Sequence, residues 1–428
     1  MLSFLSGAAA GLFGTGAPLL FFFSGVYLTL VTGFVQFRRF LPAVGSLFRK
    51  QERGSDGALS PRRVLFLGLG AVMGPGNLLG VAAAVAFAGP GAVFWMWFSG
   101  AAGMALRYAE TFLALLFGRE ERRPEGMVSV IRKGLRLPFL ACFFAFCGVA
   151  ASLLMADLTS SGAMVFTLRS VYSFPAPAGA ALLSLLMLPV LCGGKKRVAS
   201  FCPFPVAAVS VLFFFLALLV FLRAPGEAAS ALRAIFSSAF DQKSFAGVFF
   251  SPAFREGVKK GVYSNECGMG SEPAFSSASA LSDPARQGEI SMLGPFLDTV
   301  VFCGIAGILC VMSGESDPMK MLPAVFGRFF PGFGAHLVAV FLLLLVYTTL
   351  ISWYYAGESF ALSVFGKRAK LFYRAIYLLM PLLAPLFTAE TLYAVCDAAV
   401  AMMAFPSLAA ILLLSRRVRT LSRQSLCR

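Results

Sequence analysis

Long apolar runs dominate the chain, and polar residues gather in the short stretches between them. A helix that crosses the hydrocarbon of a bilayer needs ~20 residues at a rise of ~1.5 Å each. Eleven segments meet that rule, near residues 13–33, 64–88, 91–117, 138–157, 176–193, 203–222, 247–281, 288–313, 333–353, 371–388 and 390–414. They predict an all-α integral membrane protein of about eleven transmembrane helices. The first run carries no Lys or Arg before Arg38, so it reads as a true span rather than a cleaved leader.

Two of the segments do not read as ordinary membrane helices. The second contains Gly68, Gly70, Gly74, Pro75, Gly76 and Asn77 in its first half. Pro75 removes a backbone donor and disfavours helical geometry at Gly74, and the glycines weaken the helix further. The seventh contains GVYSNECGMGSEP, with Gly268 and Gly270 flanking Met269, Pro273 following and Glu266 at membrane depth. Both helices are expected to break. In hydrocarbon, each carbonyl or amide freed by a break must be met by protein, water or a bound solute.

The breaks lie five segments apart. An odd offset reverses the direction of travel, so segments 2–6 (residues 64–222) and 7–11 (residues 247–414) form two five-helix repeats of inverted topology. Segment 13–33 leads them, and a basic stretch, 415–428, follows. Interrupted helices at matching places in inverted repeats point to a secondary transporter with its site at the midplane. Half-helix N-termini there suit an anionic group, and freed carbonyls suit a cation.

Composition agrees with a membrane solvent: 58% of the 428 residues are hydrophobic, and the 13% charged is about half the share in soluble domains. The 36 Lys and Arg against 20 Asp and Glu give +16. Most of these bases fall on alternate connections, which by the positive-inside rule makes them cytoplasmic and places the N-terminus outside. The charge is therefore membrane anchoring, including the REERR connection and the RRVRTLSRQ tail, and no nucleic-acid partner is expected. Nine Cys, scattered through apolar stretches without zinc or redox spacing, read as small buried hydrophobes.

The stretches GPGNLLGVAAAVAFAGPGAVFWMWFSGAAGMALRYAETFLAL and GVYSNECGMGSEPAFSSASALSDPARQGEISMLGPFLDT resemble the signature regions of the alanine or glycine:cation symporter family. GTGAPLLFFFSGVYLTLVTGFVQFRRF and YTTLISWYYAGES are similar to it too, so the likeness covers nearly the whole chain. It implies a leucine-transporter-type five-plus-five fold with one extra leading helix, and sodium-driven uptake of a small neutral amino acid, alanine or glycine. Gly74, Pro75, Gly76 and Asn77 match the unwound first core helix, and Asn265, Glu266, Gly268, Met269 and Gly270 match its partner. The broader fold implies a sodium site from the carbonyls of Gly70 and Met73 with the hydroxyls of Thr348 and Thr349, and oxygen-only ligation suits such a hard cation. The chain departs from the family at Pro75, where a Thr is usual, around Asp157 and Thr159 in LLMADLTSSGAM, and at FCPFPVAAVS, which lacks an acidic residue.

Arg107 and Glu110, three apart on one helical face, are expected to form an internal ion pair. Asp298 and Asp397 should face the bundle interior, as ion pathway or structural partner. Glu358 is placed at the interface, and Trp95 and Trp97 in an outer aromatic belt. Arg255, Glu256, Lys259 and Lys260 suit a watery half-helix. The lone His336 has no catalytic companion, no HExxH or GxSxG occurs, and the Gly68–Gly76 run lacks the GK[ST] of a phosphate loop, so no enzyme is expected. A transporter-like sensor without a signalling domain and proton coupling through Glu266 or Asp298 are the alternatives.

Overall fold

The computed structural model describes residues 16–48, 58–118, 125–240, 247 and 251–426. The REERR connection and the Asp397 side chain lie outside them. The described chain is α-helical, with one isolated bridge between Leu59 and Ser279. In order the main helices are α1 Ala17–Val31, α2 Pro61–Val72, α3 Gly76–Ala88, α4 Gly91–Gly118, α5 Pro138–Tyr172, α6 Ala176–Cys192, α7 Pro203–Arg223 and α8 Pro225–Ala239. There follow α9 Pro252–Asn265, α10 Pro284–Ser313, α11 Pro318–Phe329, α12 Gly334–Phe365, α13 Ala369–Leu383, α14 Ala389–Leu413 and α15 Ser415–Leu426.

Every expected segment carries helix, though not always one long rod. Among the described residues five helices, α5, the run ending in α7, α10, α12 and α13 with its last turn, are long and apolar enough to cross a membrane unaided. The pair α2 and α3 passes only together, with a bend of 49° between its halves. Helix α5 runs fifteen residues past the expected end at 157, because its polar Ser160 and Ser161 are buried against neighbours. Helices α8 and α11 are among those not expected. Both are short and carry charge, Glu227 and Arg233 on one, Lys320 and Arg328 on the other, so neither has the apolar run that reveals a span.

Small residues set the packing at the centre. Helix α4 lies between α1 and α9, and a Cβ at Gly25 would stand 2.6 Å from the Ala102 carbonyl. On the other flank a Cβ at Gly257 would strike the Ala92 carbonyl, and one at Gly261 would come within 2.6 Å of Ser99. Without a hydrophobic drive between helices in lipid, such close backbone approach supplies the attraction. Large apolar side chains on the outside, Phe139, Phe204 and Phe372 among them, are exposed as lipid-facing residues should be.

Each half-helix at a break is started by local chemistry. The Ser60 hydroxyl accepts from Arg63 N–H at 3.4 Å and Pro61 opens α2; Ser251 accepts from Phe254 N–H at 3.1 Å and Pro252 opens α9. The first break is narrower than expected, confined to residues 73–75, with Gly68 and Gly70 inside regular helix. The second spans 266–272: Glu266 takes φ of 50°, Gly268 86° and Gly270 85°, before Pro273–Ser276 resumes helically. The two glycines adopt a left-handed backbone at little cost, which is why they flank the unwound turn.

Candidate functional site

At the first break Pro75 has no N–H to offer, and the Gly74 N–H turns to Val72 O (2.9 Å) and to Asn77 Oδ1 (3.3 Å). The carbonyls of Gly70 and Ala71 therefore lose their usual helical donors. Thr349 on α12 reaches across and donates its hydroxyl to Met73 O at 3.3 Å, while Thr348 bonds Leu345 O of its own helix at 2.9 Å. Gly70 faces a different hydroxyl: its Cα side is closed by Ser352, which in turn lies 2.8 Å from Cys202 Sγ. Ser352 escaped the sequence reading, although it stands three residues after Thr349 and so shares its helical face. Gly76 is exposed, and a Cβ there would meet nothing within 4 Å.

The two breaks are joined by one carboxylate. Asn77, in the first turn of α3, donates its side-chain amide to Asp298 Oδ1. Ser264, in the last turn of α9, donates to Asp298 Oδ2 at 2.6 Å, and Thr299 donates to the same oxygen at 2.9 Å. Asp298 is fully buried in a π-helical turn, Phe296–Phe302, within α10. Such a turn widens the helix locally and is frequent at functional sites. Ser264 and Thr299 were not singled out from sequence, since hydroxyls in apolar helices usually bond their own backbone.

The second break has its own partners. The expected ion pair forms, Arg107 to Glu110 at 3.2 Å, with both side chains buried. Its position gives it a further task. Glu110 accepts the freed N–H groups of Gly270 (2.5 Å) and Gly268 (3.4 Å), and Arg107 donates to the freed carbonyl of Asn265 at 2.6 Å. The pair thus satisfies a buried, unwound backbone with charge-assisted bonds. The side chain of Asn265 accepts from Cys267 N–H at 3.0 Å, and Glu266 accepts from Ser271 at 3.0 Å. Met269 lines a small apolar cleft with Phe21, Val262 and Ala404.

Two peripheral expectations change. Glu358 is buried rather than interfacial, because Tyr354 donates to it at 2.5 Å and Lys370 covers it at 3.9 Å. Trp95 is inside the protein, its N–H bonded to Ala239 O at 3.1 Å and its ring 4.8 Å from that of Phe254. The unexpected helix α8 supplies that carbonyl and covers the indole.

Residues 5–424 match the model of the sodium:alanine symporter family. The chain belongs to that family. An uncharacterized transporter of Haemophilus influenzae is 33% identical over 413 residues, covering 93% of this chain and 90% of its own. The sodium/alanine symporter AgcS of Methanococcus maripaludis is 30% identical over 408 residues, covering 92% and 90%. Among solved structures, MhsT in complex with L-phenylalanine superposes with a TM-score of 0.56 at 16% identity, covering 85% of this chain and all of that one. At that identity the likeness concerns the fold alone, and it is the leucine-transporter fold. This member of the sodium:alanine symporter family is therefore a multi-pass membrane transporter, built on helices whose interruptions converge on Asp298.

Proposed function

We propose that the protein is a sodium-coupled symporter of a small neutral amino acid, alanine or glycine, working by alternating access. The observation that carries this reading is the clasp of Asn77, Asp298 and Ser264, which brings the start of α3 and the end of α9 to one point. Gly74, Pro75, Gly76 and Asn77 on one side and Asn265, Glu266, Gly268, Met269 and Gly270 on the other line the substrate region, with Gly76 giving it open space. A zwitterion set there meets the N-terminus of α3 with its carboxylate, as helix dipoles favour. Sodium takes the carbonyls of Gly70 and Met73 with the hydroxyls of Thr348 and Thr349; Thr349 already faces Met73 O. The hydroxyl of Ser352 stands ready beside Gly70.

The full arrangement comprises eleven crossings, the two inverted repeats over 64–222 and 247–414, an outside N-terminus and a cytoplasmic C-terminus. The pairs around each break rock together against the remaining core helices, and no covalent chemistry is needed. One charge falling through ~100 mV provides ~2.3 kcal/mol, enough for ~40-fold accumulation before any sodium gradient is added.

The test is uptake of radiolabelled alanine and glycine into proteoliposomes under an imposed sodium gradient, with potassium as replacement. Accumulation that stops when potassium replaces sodium is the expected result. Uptake indifferent to the exchange contradicts sodium coupling, and accumulation driven by a pH gradient alone would transfer the coupling role to a proton on Asp298 or Glu266. Binding without accumulation under any gradient is the outcome for a sensor.

A further inference from the structure

Gly68 and Gly70 form part of the glycine-rich run of α2, yet the break lies beyond both, so Gly68 is not needed to unwind the helix. It does something else. Gly68 and Gly294 both line a small cleft of about 20 Å³ between α2 and the first part of α10, with Arg107, Asn265, Glu272 and Ser291 on its remaining faces. A Cβ at Gly68 would stand 3.8 Å from Glu272 Cγ, and one at Gly294 3.9 Å from Leu65 Cδ1. Both are ordinary contacts, so alanine fits at either position by filling cleft space. The cleft lies on the Pro61 side of the first break, the side that the distribution of Lys and Arg assigns to the cytoplasm.

Its polar groups are of two kinds. Glu272 is buried and accepts hydroxyl bonds from Thr111 at 2.6 Å and Ser291 at 2.7 Å, one on each oxygen. A carboxylate oxygen has two lone pairs, so each can take a further donor. Opposite in charge stands Arg107, which donates to Glu110 and Asn265 O and keeps further N–H groups. Asn265 adds an unmatched donor: its Oδ1 accepts from Cys267, which fixes the amide orientation, and Nδ2, held over Gly103, is buried without an acceptor. A buried amide without a protein acceptor is open to water or a solute.

We propose that this cleft is a way station on the cytoplasmic exit path, which takes a zwitterionic amino acid after it leaves the central site. The ammonium group goes to Glu272 and the carboxylate to Arg107 and Asn265. In the present conformation the cleft has room for ordered water rather than for an amino acid. Swinging α2 about the break at 73–75, where the helix already bends by 49°, widens it on the Gly68 wall. This proposal rests on the transport reading above and adds the route of release.

The experiment compares wild type, Gly68→Ala and Glu272→Gln in proteoliposomes, measuring maximal alanine uptake, alanine binding affinity and melting temperature. Replacing a mid-helix glycine by alanine favours the helix, so Gly68→Ala is expected to keep or raise the melting temperature. With alanine affinity unchanged within about twofold, the maximal rate is expected to fall at least about fivefold in both variants, as for a step after binding. Should Gly68→Ala lower the melting temperature, Gly294→Ala fills the cleft from the other wall and is expected to slow uptake in the same way. Wild-type maximal rates in the variants, or a loss of affinity in parallel with rate, overturn the way station while leaving symport intact. A wild-type protein that moves no amino acid overturns the transport reading and this one with it.

Discussion

The side-chain amide of Asn77 donates to the carboxylate of Asp298, tying the start of α3 to the π-helical turn of α10. Because Ser264 of α9 shares that carboxylate, a movement at either interrupted helix is felt at the other. In a transporter this is where solute occupancy and helix position can be linked.

Asp298→Ala leaves the donors of Asn77, Ser264 and Thr299 without their common acceptor. A buried polar group left unmatched costs about 1–3 kcal/mol. Alanine affinity is expected to weaken at least about tenfold, equivalent to about 1.4 kcal/mol, with Asp298→Asn intermediate because one oxygen remains. Scintillation-proximity binding on the purified protein reads this directly, and wild-type affinity in both variants would remove Asp298 from the site.

The two neighbouring threonines of α12 are expected to behave differently. Thr349 faces Met73 O, so Thr349→Ala should weaken apparent sodium affinity about tenfold or more, while Thr349→Ser, which keeps the hydroxyl, restores most of it. Thr348 now bonds its own helix and must turn away from Leu345 O to reach the ion, so Thr348→Ala should weaken sodium affinity by a smaller factor, about threefold. Sodium titrations of alanine uptake check both values; wild-type sodium affinity in Thr348→Ala would remove that hydroxyl from the ion site.

Glu110→Ala removes the acceptor for two backbone amides and leaves Arg107 buried without its partner. Breaking a buried pair from one side costs about 3–5 kcal/mol. The melting temperature in detergent is expected to fall by well over that of Thr348→Ala, and a melting temperature equal to wild type would show that water or another group replaces the carboxylate.

Gly70→Ala places a methyl group against Ser352 and Cys202, in a site with no slack. Overpacking of this kind costs about 1–3 kcal/mol. Since Ser352 must move aside, sodium affinity is expected to drop along with stability, whereas loss of stability alone would separate Gly70 from the ion.

What the sequence disclosed and what it withheld follow from the range of the forces involved. Pro75 lacks a donor and Gly268 permits a left-handed backbone, both local properties, so the two breaks were legible. The i,i+3 pairing of Arg107 and Glu110 was legible for the same reason. Their service to the second break was not, because Gly270 and Asn265 lie about 160 residues away in the chain. Asp298 could be recognised as an interior charge, but its bond to Asn77 spans 221 residues, and nothing in the local pattern chooses between the partners open to a buried carboxylate. Helices α8 and α11 were missed because a short helix that carries charge has no long apolar run, and with α8 went the partner that draws Trp95 inside.

The most direct test of coupling between the breaks is the alanine dissociation constant of the purified protein, measured in saturating sodium and again in potassium. If sodium and amino acid share the region that Asp298 joins, alanine binds at least about tenfold more tightly in sodium, and alanine tightens sodium binding by the same factor, since binding linkage is reciprocal. An alanine dissociation constant that is the same in both salts would contradict the account.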